Sequence, residues 1–318
     1  MFFERRLSLV TGGTGFVGTH IAKALLDQGG RVRIAVHDRA PLLTDPRIER
    51  VHADLTRQED CLAAMAGVDL VFHAAGAVAG TGVSADNAMA GIAKNLHLTA
   101  QVMQAAWTAG VERLLVFSSS TAYPASDHPI REDELWAGEP HPSYLGYGWM
   151  RRYFERLAEF TASRSKVKIA LVRPTAVYGP HDDFNPTTSH VIPALVRRAV
   201  AKEDPFIVWG TGDEMRDFLH IEDLARGCLL MMERHAECDP VNIGYGSALT
   251  IKQTVEIILD AAGHRGAQVQ FDATKPTTIP RRLVDTSKAE RLLGFKPRIP
   301  IETGLADLVR WYAARIGA

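Results

Sequence analysis

Thr11 to Gly18 reads TGGTGFVG, between an apolar run, LSLVT, and a helical pattern that extends from about Gly15 to Gln28. Its glycines fall at Gly12, Gly15 and Gly18. At that spacing the first allows a tight turn, the second lets backbone approach a pyrophosphate at the helix N-terminus, and the third lets helix and strand pack closely. A glycine triplet alone is weak evidence. The strand before it and the helix after it constrain the chain, predicting the opening βα unit of a dinucleotide-binding sheet with Thr14, Phe16 and Val17 beside the cofactor.

The first half repeats that unit. VRIAV, IERVHADL, DLVFHAA and RLLVFSSS are β-rich, a long helix is predicted near Met89 to Ala109, another begins near Tyr147, and VKIALVRP follows. Strand and helix alternating at this spacing mean parallel crossovers, and strands apolar on both faces mean a covered sheet. From Tyr178 to Pro193 the chain is rich in Gly, Pro, Asn and Asp, which predicts loop. Helical and short β-rich runs then mix: IPALVRRAV, FIVWG, DFLHIEDLARGCLLMME, a helix after Thr250 and a terminal helix near Ile301 to Ala314. The expected fold is α/β: a Rossmann-type doubly wound parallel sheet over residues 1–178, with a smaller, partly discontinuous α/β substrate lobe over residues 179–318.

With 318 residues, 46% of them hydrophobic, and a net charge of −1, the chain has material for a large core and no electrostatic footprint for nucleic acid or an anionic membrane. Neither partner is expected. No apolar run approaches the length of a membrane span. Cys61, Cys228 and Cys238 are scattered without metal-ligand spacing, so no metal site is predicted and a reducing, cytoplasmic setting fits.

VRIAV ends in Val36-His37-Asp38-Arg39, with Val36 where an NAD-selective enzyme carries an acid for the ribose diol. His37 and Arg39 can meet a 2′-phosphate, which favours NADP(H), with NAD(H) as the alternative; solvated loop residues are the plainer reading of both. Asp54-Leu55 after the third strand can reach the adenine amino group. Ala74-Ala75-Gly76 after the fourth supplies small residues where backbone nears the cofactor.

After the fifth strand come Ser118-Ser119-Ser120-Thr121, then Tyr147, then Arg151 four residues further along a helix. Carbonyl–alcohol redox chemistry at nicotinamide needs a proton donor or acceptor on the oxygen. A tyrosine serves if a nearby cation favours its phenolate, and a residue four along lies on the same helix face. Trp149, Met150, Tyr153 and Phe154 read instead as packing residues, against the core or a partner subunit.

TGGTGFVG, HADL, HAAG, FSSSTAYP, the Tyr147 helix, RPTAVYGP, NIGYG and LLGFKPRIPIETGL together resemble the extended short-chain dehydrogenase/reductase family, in its NAD-dependent epimerase/dehydratase group, over nearly the whole chain. The resemblance implies that Ser119, Tyr147 and the residue four beyond it form the catalytic group, with Pro174 of RPTAVYGP at the cofactor. The family has lysine where this chain has Arg151. Arginine keeps the charge but is larger, planar and does not give up its proton, so it can hold ribose hydroxyls and bias Tyr147 without joining a proton relay. A homodimer is also implied, pairing the long helix near Met89 and the one after Tyr147 in a four-helix bundle.

Three later runs, Tyr178 to Arg198, Val208 to Ala225 and Lys275 to Lys288, are similar to a branch of that family that epimerises a GDP-4-keto-6-deoxy sugar at C3 and C5 and reduces C4 with NADPH. By that likeness Arg198, Arg216 and Arg282 fall to the diphosphate and nucleotide, and Trp209, Val191 and Leu195 to the base. His190 matches the branch's histidine; read on its own it is a helix cap or a satisfied buried histidine. The branch's cysteine is replaced by Thr121, whose hydroxyl lies far above a thiol's pKa of about 8.5 and is a poor carbon-acid base. Double epimerisation is therefore expected to be lost or badly weakened. A sugar dehydratase is disfavoured, because Thr121-Ala122-Tyr123 stands where that branch has Thr-Asp-Glu.

The leading expectation is an NADP(H)-dependent 4-keto reductase acting on a nucleotide-activated, GDP-linked sugar. Its alternatives are a nucleotide-sugar 4-epimerase with tightly bound NAD(P) and a non-catalytic dinucleotide-binding relative.

Overall fold

The computed structural model describes residues 2–77, 88–275 and 277–317. Met1 and Ala318, the outer ends of the two expected lobes, lie outside the described residues, as do residues 78–87 and Pro276 of the Lys275 to Lys288 run. Strand and helix alternate through β1 (Leu7–Thr11), α1 (Phe16–Asp27), β2 (Arg31–Val36), β3 (Ile48–His52), α2 (Gln58–Met65), β4 (Leu70–His73), α3 (Ala88–Ala109), β5 (Arg113–Phe117), α4 (Leu145–Arg164) and β6 (Lys168–Pro174). Shorter elements follow: β7 (Ala176–Tyr178), α5 (Val191–Val200), β8 (Phe206–Trp209), β9 (Met215–Arg216), β10 (Phe218–His220), α6 (Ile221–Arg234) and β11 (Val241–Ile243). The chain closes with β12 (Leu249–Thr250), α7 (Ile251–Ala261), β13 (Val269–Asp272), β14 (Arg281–Arg282), α8 (Ser287–Leu293) and α9 (Ile301–Ile316).

Seven strands form one sheet in the order β11-β6-β5-β4-β1-β2-β3, and every neighbouring pair is parallel. The chain winds outward from β1 through β2 and β3, then returns to β4 on the other side of β1. Crossovers therefore diverge between β1 and β4, and a crevice opens at the carboxyl ends of those strands. Both sheet faces are covered. Ile21 and Leu25 of α1 share one core with Leu224, Cys228 and Met232 of α6, while Cys61 of α2, Val102 of α3 and Met150 and Phe154 of α4 share the other.

The second half is not a separate block. β11 joins the edge of the main sheet beside β6, and α6 packs along α1, so residues 221–243 complete the seven-stranded sheet and one of its covering layers. No local pattern announces this return, because a three-residue strand carries too little periodicity to show its partner. The smaller lobe is built around Leu195, Val196, Phe206, Val255, Ile258, Leu305 and Leu308 from α5, β8, α7 and α9. Among the described residues no helix is long and apolar enough to cross a membrane, and no group of three His, Cys, Asp or Glu could hold a metal ion.

A buried polar network locks the segment after β5 to this frame. Arg173 on β6 makes a forked pair with Glu155 on α4, at 2.8 and 2.7 Å, with both side chains 3% exposed. Its third nitrogen donates to the Tyr123 hydroxyl and to the Glu132 carbonyl, and Tyr123 donates in turn to Asn242 on β11 at 2.7 Å. Helix, sheet edge and loop are thus held by charge-assisted bonds at full burial.

Candidate active site

The glycine turn has its geometry enforced by neighbours. Gly12 has φ +68°, and a Cβ there would lie 2.7 Å from the backbone of Ala75 at the end of β4. A Cβ on Gly18 would run into the Gly12 carbonyl oxygen. Gly15 differs: its nearest neighbour would be the same oxygen at 3.3 Å, and as N-cap of α1 it offers no side-chain cap, with no acidic residue in the first turn. The unpaired N–H groups and positive dipole end of α1 are left for an anion. A pyrophosphate-bearing dinucleotide fits these residues. Thr14, Phe16 and Val17 are partly exposed beside the turn.

Thr11 and His73 brace the crevice. The Thr11 hydroxyl meets His73 Nδ1 at 2.8 Å, His73 Nε2 meets Thr99 at 3.1 Å, and the Ala75 N–H donates to Thr11 Oγ1. Burial pushes the His73 pKa down to about 3, with the Arg151 charge adding to it, so the ring is a neutral brace. This fixes Ala74, Ala75 and Gly76 against Gly12.

At the end of β2, His37 is exposed and contacts Asp38 at 2.9 Å, while Arg39 is exposed with no hydrogen-bond or ion-pair partner among the described residues. Asp54 Oδ1 accepts from the Thr56 N–H and hydroxyl, which hold its pKa below the ordinary carboxylate range. Leu55 packs on the core beneath it.

Gly18→Ala is expected to destabilise the fold by ~1–3 kcal/mol through overpacking of the turn. Gly15→Ala should keep its stability but weaken dinucleotide affinity about tenfold or more, because its methyl enters the space left for phosphate. Denaturation curves and fluorescence titration with reduced dinucleotide separate the two. Equal stability losses would contradict this account of the turn.

Tyr147 and Arg151 lie on one face of α4, as their spacing predicts. Arg151 Nη1 donates to the Phe117 carbonyl at 2.8 Å, Nη2 lies 3.4 Å from the Tyr147 hydroxyl, and the guanidinium carbon is 5.2 Å from the tyrosine ring centre. One planar cation thus spans the end of β5 and the Tyr147 hydroxyl. The Tyr147 hydroxyl donates to the Ala77 carbonyl at 3.3 Å. Of the neighbouring aromatic and apolar residues, Met150 and Phe154 are buried, whereas Trp149 and Tyr153 are 41% and 53% exposed.

Ser119 caps a short 3-10 turn over Ser120–Ala122. Its oxygen accepts from the Thr121 N–H at 3.1 Å and from the Thr121 hydroxyl at 2.9 Å. Helix α4 is pressed against this turn: Arg152 Nε donates to the Ala122 carbonyl at 2.9 Å, and a Cβ on Gly148 would come within 2.8 Å of the Thr121 carbonyl. Ser119, Thr121, Tyr147 and Arg151 are therefore gathered by contacts between two elements, and Pro174 ends β6 beside β5 in the same sheet.

The smaller lobe supplies a pair of arginines. Arg216 and Arg282 are register partners on the adjacent strands β9 and β14. Burial pushes the Arg216 pKa down to about 10, with the Arg282 charge next in weight. Arg282 lies 4.2 Å over the ring of Tyr144, one Nη2 is buried without a partner, and among the described residues neither arginine pairs with a carboxylate. Two adjacent cations with spare donors suit a multivalent anion.

The remaining expected contacts are distributed differently. Arg198 is committed to a forked pair with Glu203 at 2.7 and 2.8 Å and to the Ile207 carbonyl. Leu195 is 3% exposed in the lobe core, whereas Val191 and Trp209 are 39% and 52% exposed. His190 stands at the N-cap of α5 but makes no side-chain cap bond. It is half-exposed and faces Asp182 at 4.0 Å; that contact holds its pKa above the ordinary value against the opposing effect of burial.

Asn95 was not expected from the sequence. Buried on α3, it accepts from the Ala77 N–H at 2.7 Å, donates to the Ala77 carbonyl at 2.8 Å, and lies 3.5 Å from the Tyr147 hydroxyl. The available signal was a carboxamide inside an otherwise apolar helix stripe, NLHLTAQVM, where an unpartnered amide would be costly.

Known proteins resemble this chain in sequence and in fold. The model of the NAD dependent epimerase/dehydratase family matches residues 8–244. A probable GDP-L-fucose synthase of Oryza sativa subsp. japonica is 33% identical, covering 93% of this chain and 95% of its own. A dTDP-4-dehydro-6-deoxy-D-allose reductase of a Streptomyces species is 27% identical over 96% of each chain. Among solved structures, a GDP-L-fucose synthetase from Naegleria fowleri bound to NADP superposes with a TM-score of 0.83 over 99% of this chain and 96% of its own; at 23% identity that likeness carries the fold alone. With a match that runs from the glycine turn through the Ser119 and Tyr147 motifs to β11, the chain belongs to the NAD dependent epimerase/dehydratase family and is an enzyme of the extended short-chain dehydrogenase/reductase type.

Proposed function

We propose that the protein is an NADP(H)-dependent 4-keto reductase of a GDP-linked sugar in which double epimerisation at C3 and C5 is lost. The observation that carries this reading is one helix start serving two tasks: Tyr144 lies under Arg282, which has no carboxylate partner among the described residues, and Tyr147, three residues on, holds its hydroxyl 3.4 Å from Arg151. This supports an anion site and a proton donor with a cation beside it within one helical turn of each other. The names of the relatives, a GDP-L-fucose synthase and a 4-dehydro-sugar reductase, support the same substrate class.

Bound nicotinamide supplies the hydride for the carbonyl carbon. The chain's residues do the rest. The α1 N-terminus and its glycine turn receive the pyrophosphate, and His37 and Arg39 hold a 2′-phosphate. Arg216 and Arg282 bind the substrate diphosphate, with Trp209 offering an exposed aromatic face to the base. Tyr147 gives its proton to the C4 oxygen, and Arg151 stabilises the phenolate left behind. Thr121 is too weak a base to take a proton from carbon, so any single epimerisation falls to His190. Exposed Met89, Trp107, Trp149, Tyr153 and Phe160 on α3 and α4 support pairing of two chains through a four-helix bundle.

The test is turnover in deuterium oxide with reduced cofactor. The expected product is reduced at C4 with solvent deuterium at no more than one of C3 and C5, and NADPH is bound more tightly than NADH. Deuterium at both carbons would overturn the loss of double epimerisation, and tighter NADH binding would overturn the phosphate role of His37 and Arg39.

A further inference from the structure

A hydroxyl oxygen has two lone pairs and one proton. Both acceptor positions of Ser119 Oγ are taken by Thr121, through its N–H at 3.1 Å and its hydroxyl at 2.9 Å. Among the described residues Ser119 donates to nothing, so its proton is the one hydrogen-bonding capacity it has left. We propose that Thr121 is a positioning residue that makes Ser119 a donor-only hydroxyl, which selects a carbonyl oxygen as the substrate group at this point. The inference rests on the reductase reading and deepens it.

Three features make the arrangement directional. The Thr121 N–H is fixed by the 3-10 turn that Ser119 caps, so the first lone pair is filled whatever the side chain does. The Thr121 hydroxyl donates to Ser119 Oγ at 2.9 Å, which leaves the Ser119 proton for the substrate. A chain running from the Thr121 hydroxyl to the Ser119 hydroxyl to the substrate oxygen polarises each bond in turn, which strengthens the last one. A ketone oxygen, which only accepts, completes the chain. An alcohol proton finds no acceptor on Ser119. The pair thus favours the keto form of the sugar at the moment Tyr147 delivers its proton.

The chain departs here from simple bulk filling. Valine has the shape of threonine without the hydroxyl, so Thr121→Val vacates one lone pair of Ser119 and leaves the turn N–H in place. Thr121→Ser keeps the donor. Two readouts separate positioning from packing: the Ser119 side-chain rotamer in crystals of each variant, and kcat set against KM for reduction of a 4-keto GDP-sugar.

Ser119 is expected in a single rotamer in the wild type and Thr121→Ser, and split between rotamers in Thr121→Val. The kcat of Thr121→Val should fall about three- to tenfold, the worth of one hydrogen bond in the transition state, with NADPH affinity unchanged and Thr121→Ser close to wild type. A single Ser119 rotamer in Thr121→Val overturns the proposal, whether or not kcat falls. Loss of turnover in Thr121→Ser equal to that in Thr121→Val overturns it as well. A wild type that reduces no 4-keto sugar while Ser119 still splits in Thr121→Val overturns the reductase reading and leaves the Thr121–Ser119 pair standing.

Discussion

Tyr147→Phe is expected to lower kcat for reduction of a 4-keto sugar by about 10²–10⁴-fold, the contribution of a positioned proton donor. The ring that lies 5.2 Å from the Arg151 guanidinium is kept, and only the hydroxyl that meets Arg151 and the Ala77 carbonyl is removed. Substrate and dinucleotide affinities should therefore stay within about threefold of wild type, which places the whole loss in the transition state. Steady-state kinetics alongside binding titrations check this. A fall in kcat below about tenfold would show that another group delivers the proton.

Glu155→Gln is expected to cost about 3–5 kcal/mol of stability, because it leaves the Arg173 guanidinium buried against a neutral amide that can satisfy only part of its fork. The effect reaches the active site. Arg173 also donates to Tyr123 and to the Glu132 carbonyl, and Tyr123 anchors to Asn242, so a displaced Arg173 loosens part of what holds the segment after Ser119 to the sheet. Chemical denaturation of variant and wild type measures the loss. A cost under about 1 kcal/mol would mean that the pair is wetter than its burial shows.

The parallel sheet was legible because its signals are local. LSLVT, TGGTGFVG and the helix after them sit next to one another in the chain, and apolar strand alternates with amphipathic helix through β6. The Tyr147–Arg151 pair was legible for the same reason, since four residues on a helix fix a shared face whatever surrounds it. Contacts between distant segments were not. β11 pairs with β6 across some seventy residues, and nothing in VNI distinguishes an edge strand of the main sheet from a strand of the smaller lobe. Asn95 gives no positional hint of the Ala77 backbone it holds.

The arginines divide along the same line. Arg216 and Arg282 lie on neighbouring strands, without a carboxylate partner among the described residues, a relation set by the register of β9 and β14. Arg198 lies at the end of α5, and Glu203 is close enough in sequence to fold back onto it. Motif likeness gave both kinds of arginine the same role, and side-chain partners separate them. Leu195 shows the limit of a motif in another way: its place in SHVIPAL suggested a base contact, yet the amphipathic stripe of α5 turns it into the lobe core beside Phe206 and Val255.

On the reading proposed above, this chain reduces its sugar rather than isomerising it. The most direct test counts reduced cofactor consumed against sugar converted when the wild-type enzyme is given NADPH and a 4-keto GDP-sugar. One NADPH oxidised for each sugar reduced at C4 is the expected result. Sugar isomerised with the NADPH absorbance unchanged would contradict it.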